Sequence, residues 1–361
     1  MVNILGLDIG GANIKAAVLK VKDNHVKGLK TATEYFPIWK MGKKKLPTIL
    51  KKLLLKLGEN FSFVGVTMTA ELSDVYFTKV EGVKHVLKSV KKVISLPVVF
   101  VLSVDGELIP IGEAEKYPYK IASANWYASG WLASKIAKDC IVIDIGSTTT
   151  TIIPVKNGKV NVEGKNDLEK LACGELIYTG ALRTNIATIT QTLNVRGLNV
   201  KVSSEYFAST ADVYLVLNEI SRQDYTTDTS DGRGKTRREA LARIARVICA
   251  DINMLKEDEI VSLAAQIADK QISIIIEALD NVFKKNWKNE EYRLILPIFT
   301  AGVKSGFLAK KAAIKAGFQN VLCFDKILDL NVSRVLPSAG LAFMIAEKFI
   351  EDLRFPVQKL N

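Results

Sequence analysis

Apolar positions along the chain fall into short blocks of two kinds. Ile4-Leu5-Gly6-Leu7 and Ala16-Ala17-Val18-Leu19 are continuous runs bounded by turn residues, the pattern of strands buried on both faces. Similar blocks predict strands near 2–8, 14–21, 26–31, 62–68 and 97–103. Between Lys40 and Lys56 the spacing changes. Leu46, Ile49, Leu50, Leu53, Leu54 and Leu57 recur with helical period, while Lys43, Lys44, Lys45, Lys51, Lys52 and Lys56 lie between them. This predicts a helix over 46–57 with a solvated lysine face. Further on, Thr236 and Glu239 have capping-box spacing and open a helix from Arg237 to Asp251, and Pro337-Ser338 precedes a final helix over 339–353. Strands interleaved with helices make an α/β protein.

The strongest pattern is an internal repeat. Ile4 to Leu19 contains Asp8-Ile9-Gly10-Gly11-Ala12-Asn13-Ile14-Lys15, a buried strand, a tight turn and a second strand. Cys140 to Val155 has the same layout around Asp144-Ile145-Gly146-Ser147-Thr148-Thr149. Asp8 and Asp144, and likewise Gly10 and Gly146, stand 136 positions apart. Each copy then reaches another turn, at Lys22-Asp23-Asn24 and at Asn157-Gly158, the latter a strong hairpin signal. The chain is therefore two related halves.

The chemistry of this repeat is specific. A carboxylate at a strand end, Asp8 or Asp144, can hold hydrated Mg²⁺. Gly10, Gly11 and Gly146 let the backbone turn with amides outward, and Asn13, Ser147, Thr148 and Thr149 add side-chain donors. Lys15, on the strand after the first turn, either reaches a phosphate or points to solvent. Two such hairpins facing one another across a cleft would grip a phosphate chain from both sides. Other phosphate loops fit poorly. Gly232-Arg233-Gly234-Lys235-Thr236 ends like a Walker loop, yet Thr229 stands where the first glycine belongs. No G-x-G-x-x-G follows the first strand.

Composition narrows the classes. The 361 residues carry a formal charge of +12, and 39 of the 50 basic residues are lysine. These lysines are spread along the whole sequence, so the charge reads as a solvated surface that attracts anionic small molecules, with no nucleic-acid partner. No apolar run approaches the roughly 20 residues of a membrane helix, and Met1 to Asp8 lacks the layout of an export signal. A cytoplasmic protein with no membrane partner is expected. Four scattered cysteines read as reduced thiols, and two isolated histidines argue against a histidine-built zinc site or a Ser-His-Asp triad.

The paired Asp-x-Gly hairpins, followed late in the chain by Thr300-Ala301-Gly302-Val303, resemble the two phosphate motifs and the adenosine motif of the actin, sugar kinase and Hsp70 superfamily. That resemblance implies two RNase H-like lobes around a central cleft: a first lobe over 1–135, and a second over 138–336 with a helix-rich insertion at about 165–290. It also implies a terminal helix, 339–353, packed across the lobes, and a nucleotide or phosphate contact at Gly302. A closer resemblance lies in Thr67 to Asp74, Asn125 to Trp131, Glu175 to Thr184 and Thr210 to Tyr214. These segments, with the two hairpins, are similar to the hydantoinase/oxoprolinase-related proteins of one-carbon metabolism. The resemblance implies a transferase of methanofuran biosynthesis. In its reaction the phenol oxygen of γ-glutamyltyramine displaces pyrophosphate from an aminomethylfuran diphosphate.

Several side chains become candidates on this basis. Glu71 and Asp74 are expected to follow a strand into a helix and share one face, as general base for the phenol, as a second carboxylate for Mg²⁺, or simply as first-turn acids. Glu113 is a further acid candidate. Arg183 has the fork to bind a carboxylate or phosphate, and the aromatic run Asn125 to Trp131 either stacks on a substrate ring or packs the hinge. Thr226 to Thr236 is polar and Gly-bearing, and reads as a mobile loop more than a calcium site. Two other functions fit the same superfamily: an ATP-dependent kinase or hydrolase that binds nucleotide at residues 302–305, and a non-catalytic nucleotide switch.

Overall fold

The computed structural model describes residues 1–58, 60–94, 98–328 and 330–356. The chain forms two compact units. One comprises Met1–Val142, Ile153–Cys173 and Leu322–Asn361, and the other Ile143–Ile152 and Gly174–Val321.

In the first unit β1 (Val2–Ile9), β2 (Asn13–Lys22) and β3 (His25–Tyr35) form an antiparallel meander, and β4 (Phe63–Met68) and β5 (Val99–Leu102) add parallel strands on the other side of β1. β6 (Leu108–Pro110) closes the order β3-β2-β1-β4-β5-β6. The strand expected over 97–103 appears as β5; position 97 lies outside the described residues. Leu46–Leu57 is helical as its leucine period demands, with Leu46, Leu50, Leu53 and Leu57 buried. On the sheet lies Leu336–Phe349, apolar nearly all round and buried along most of its length. Gly6 explains the closeness: a Cβ there would sit 1.9 Å from the Ser338 carbonyl oxygen. The helix Asn125–Ser134 packs beside it, with Gly340 against the Ala128 carbonyl.

The second sheet is built from β7 (Cys140–Ile145), β8 (Thr150–Lys156), β9 (Lys159–Val160), β10 (Leu176–Ile177), β13 (Ile298–Gly302) and β14 (Val321–Cys323), in the order β10-β8-β7-β13-β14 with β9 on β8. A separate hairpin, β11 (Thr192–Val195) with β12 (Leu198–Lys201), and the helices Thr210–Val216, Arg237–Arg246 and Glu257–Asn286 belong to the second unit. The repeat survives in backbone detail. Asp23-Asn24 and Asn157-Gly158 each carry two successive residues with positive φ, as a type I′ turn requires.

Three local expectations take a different form. Thr67 to Asp74 yields one 3₁₀ turn, Ala70–Leu72, instead of a helix. The helix expected from Arg237 to Asp251 ends at Arg246, and Cys249 has positive φ. Thr226 to Thr236 is a pinned loop: Ser230 donates to the Phe207 carbonyl at 2.6 Å, Lys235 to the Tyr225 carbonyl at 2.6 Å, and Asp231 pairs with buried Arg243 at 3.2 Å. Among the described residues no three His, Cys, Asp or Glu side chains converge to hold a metal, and no helix is long and apolar enough to cross a membrane.

Candidate functional site

Each half builds its acidic turn in the same way. In the first unit the Gly10 amide donates to the Asn13 carbonyl at 3.0 Å; in the second the Gly146 amide donates to the Thr149 carbonyl at 2.9 Å. These two glycines therefore act by shape, because their amides are spent closing the turns. The outer carbonyls are also used. Gly11 and Ala12 accept from Ile38 and Phe36, each at 2.9 Å, while Ser147 accepts from Arg183 at 2.8 Å and Leu182 at 3.1 Å.

At the first turn, register decides which side chains meet. Asp8 is directly opposite Lys15 on β2 and Thr67 on β4, and Lys15 is opposite Thr33 on β3. Directly paired residues share a sheet face, so Thr33, Lys15, Asp8 and Thr67 form one polar row. Asp8 is 4% exposed and Thr67 fully buried, and the Thr67 hydroxyl has no hydrogen-bond partner among the described residues. Lys15 is half-buried, so it belongs to the row with Asp8 and not to the solvated surface.

The segment after β4 leans on this turn. The Thr69 amide donates to the Ile9 carbonyl at 3.0 Å. A Cβ on Gly10 would come within 3.4 Å of the Thr69 hydroxyl, and one on Gly11 within 2.7 Å of the Ser73 hydroxyl. Glu71 and Asp74 then part company. Asp74 is exposed, whereas Glu71 is buried against the helix Lys79–Val93, where Gly82 meets its backbone. The Ser123 hydroxyl is hydrogen-bonded to Glu71 Oε1 at 2.7 Å. Burial pushes the Glu71 carboxyl above the usual range, the charge of Asp167 adds to that rise, and the Ser123 hydrogen bond and Lys79 oppose it.

In the second unit Thr148 lies under the Glu175 to Thr184 segment. A Cβ on Gly180 would sit 2.6 Å from the Thr148 amide nitrogen, and the Arg183 guanidinium donates to the Thr148 hydroxyl at 3.3 Å. Gln271, on Glu257–Asn286, fixes this segment by donating to Thr179 Oγ1 at 2.7 Å and to the Gly180 carbonyl at 2.9 Å, and Tyr214 secures Gln271 at 2.6 Å. Asp144, Ser147, Thr148 and Thr149 are partly exposed around this turn. Gly302 has φ 107°, and a Cβ there would lie 1.9 Å from the Ile145 carbonyl oxygen. Main-chain contact with the end of β7 is enough to require glycine.

The remaining candidates are placed elsewhere. Trp126 is buried with the Lys170 ammonium 3.8 Å from its ring centroid, and Tyr127 packs against Gly106, so both rings are used internally. Glu113 is exposed at a surface groove shared with Tyr117 and Trp131. Ser123 and Asp167 were not singled out from the sequence, since they lie 52 and 96 positions from Glu71 and have no motif of their own.

The hydantoinase/oxoprolinase family model matches residues 63–345. A relative from Methanocaldococcus jannaschii, described as (4-{4-[2-(gamma-L-glutamylamino)ethyl]phenoxymethyl}furan-2-yl)methanamine synthase, is 41% identical over 283 residues, 78% of this chain and 82% of the relative. A Methanococcus vannielii protein of the same description is 40% identical over 217 residues, 60% of this chain and 94% of its own length. Among solved structures, the nucleotide-free form of acetone carboxylase aligns with TM-score 0.57 over 94% of this chain and 70% of that one, at 10% identity, a likeness of fold. The mixed α/β architecture is shared with that structure. The chain belongs to the hydantoinase/oxoprolinase family.

Proposed function

We propose that this protein is a transferase that joins an aminomethylfuran diphosphate to the phenol oxygen of γ-glutamyltyramine. The observation that carries this reading is the 41% identity over 283 residues to a relative whose description contains the phenoxymethylfuran ether such a coupling makes. In the reaction the bond between the furfuryl carbon and the diphosphate oxygen breaks, the phenol oxygen takes that carbon, the phenolic proton passes to a carboxylate, and pyrophosphate leaves.

The burden falls on stabilising the leaving group, because a furfuryl carbon tolerates positive character. Lys15 supplies a cation beside Asp8, with the Gly11 and Asn13 region of the first turn next to it. Ser147, Thr148 and Thr149 supply hydroxyls at the second turn, backed by the Arg183 fork. Gly10, Gly146 and Gly302 shape these backbones. Bound Mg²⁺ would neutralise charge on the diphosphate oxygens. Asp8 and Asp144 are each suited to hold it, since Mg²⁺ usually takes one or two carboxylates and keeps several waters; the orphaned, buried Thr67 hydroxyl beside Asp8 fits such a hydrated ion. Glu71 and Asp74 remain the acid-base candidates.

Incubating the protein with aminomethylfuran diphosphate, γ-glutamyltyramine and Mg²⁺ should release pyrophosphate in step with an ether product of the summed mass less pyrophosphate. ATP turnover with no ether product would replace this reading with a kinase or hydrolase.

A further inference from the structure

Ser123 holds two carboxyl groups at once. Its Oγ lies 2.7 Å from Glu71 Oε1 and 2.7 Å from Asp167 Oδ2, and Lys79 Nζ lies 3.0 Å from that same Asp167 oxygen. A serine hydroxyl has one proton to donate. If both carboxyls were ionised, one short oxygen–oxygen contact would have no hydrogen in it. The cluster therefore contains a second proton, and its address follows from the surroundings. Lys79 forms its ion pair with Asp167, so the negative charge of the cluster has its counter-ion on that side. Glu71 is 1% exposed and forms no ion pair of its own among the described residues, so burial disfavours its charge and Lys79 offsets this only in part. Near that side lie Tyr76, hydrogen-bonded to His85 at 2.7 Å, and Glu81, whose charge is paired with Lys43 at 2.5 Å. Ser123 is also fixed in the left-handed region, φ 52°, which a non-glycine residue adopts only where its surroundings impose it.

We infer that Glu71, Ser123 and Asp167 form a proton relay with the extra proton on Glu71, and that this relay removes the phenol proton in the coupling reaction. Glu71 donates from Oε1 to Ser123, and Ser123 donates to Asp167. Glu71 Oε2 is buried and has no hydrogen-bond partner among the described residues, and its loop rests on the Gly10–Gly11 turn. As the phenol oxygen attacks, its proton enters at Glu71 Oε2, the Oε1 proton moves to Ser123, and the Ser123 proton moves to Asp167. Three O–H bonds break and three form. Glu71 and Ser123 end neutral, as they began, and Asp167 ends as a neutral acid beside Lys79. Glu71 is the residue that meets substrate; Ser123 and Asp167 are positioning residues acting through it. The use of the relay rests on the proposed coupling, while the location of the proton does not.

Infrared difference spectroscopy of the intact protein at neutral pH tests the location. The expected result is a protonated-carboxyl carbonyl band that shifts in D₂O, disappears in Glu71→Gln and moves to higher frequency in Ser123→Gly, a substitution compatible with the positive φ. A wild-type spectrum without that band, or a band that survives Glu71→Gln, overturns the relay. Steady-state coupling assays test its use. Asp167→Asn and Ser123→Gly should each lower kcat on the order of 100-fold with little change in KM. Undiminished kcat in Asp167→Asn overturns that use. If the wild type forms no ether, the coupling reading fails, and the infrared result alone still decides where the proton resides.

Discussion

Lys15 stands directly opposite Asp8 across the β1–β2 pair, so the first turn presents a cation and a carboxylate on one sheet face. Opposite charges in such a pair stabilise each other modestly. Under the proposed function their greater consequence is for a diphosphate with its Mg²⁺, which needs a cation and a carboxylate at the same end of the sheet.

Lys15→Met should weaken turnover of the diphosphate substrate by roughly 10- to 100-fold, the equivalent of losing one charge-assisted hydrogen bond of about 1.5–3 kcal/mol. Steady-state kinetics against diphosphate concentration measure it. An unchanged kcat/KM would place the ammonium outside the site.

Asp8→Ala and Asp144→Ala should each abolish coupling and leave the fold in place. Thermal melts and circular dichroism check the fold, and a pyrophosphate assay checks the activity. Normal activity in either folded variant would discredit that carboxylate as a metal ligand.

The raised Glu71 pKa makes stability depend on pH in a fixed direction. Below the unfolded value, about 4.5 for an ordinary glutamate, both states are protonated and the contribution is complete. Between that value and the higher folded one, the native state binds more protons than the unfolded state, so stability falls as pH rises and is lost on passing the folded pKa. Glu71→Gln, which cannot titrate, should flatten this component. Urea titrations of both proteins across pH 4 to 8 measure the slopes, and equal slopes would contradict a protonated Glu71.

Gly302→Ala should lower stability even without any ligand, because a methyl group would meet the Ile145 carbonyl and the backbone has φ 107°. A strained conformation alone costs on the order of 1–3 kcal/mol. A thermal melt lower by several degrees is the expected outcome, and a melt matching the parent would leave only a ligand role for this glycine.

Arg243 and Asp212 form a fully buried pair at 2.7 Å, with Tyr225 also donating to Asp212 at 3.0 Å. Removing one partner strands the other charge, so Arg243→Met should cost about 3–5 kcal/mol. Chemical denaturation measures this, and Asp212→Asn together with Arg243→Met should recover part of the loss.

The periodicities along the chain carried most of the secondary structure. β1, β2 and β4, the helix Leu46–Leu57 and both two-residue turns follow from local spacing and turn chemistry, which act within a few residues. So did the duplicated Asp-x-Gly turns, because strand, carboxylate and glycine are contiguous. Three-dimensional packing decided the rest. Only strand register could set Lys15 beside Asp8 and Thr67, since alternation alone left its direction open. Only the return of residues 153–173 to the first unit could bring Asp167 to Ser123 and Glu71. Hydrogen bonds act over about 3 Å, and no local pattern records which distant segments folding will bring that close.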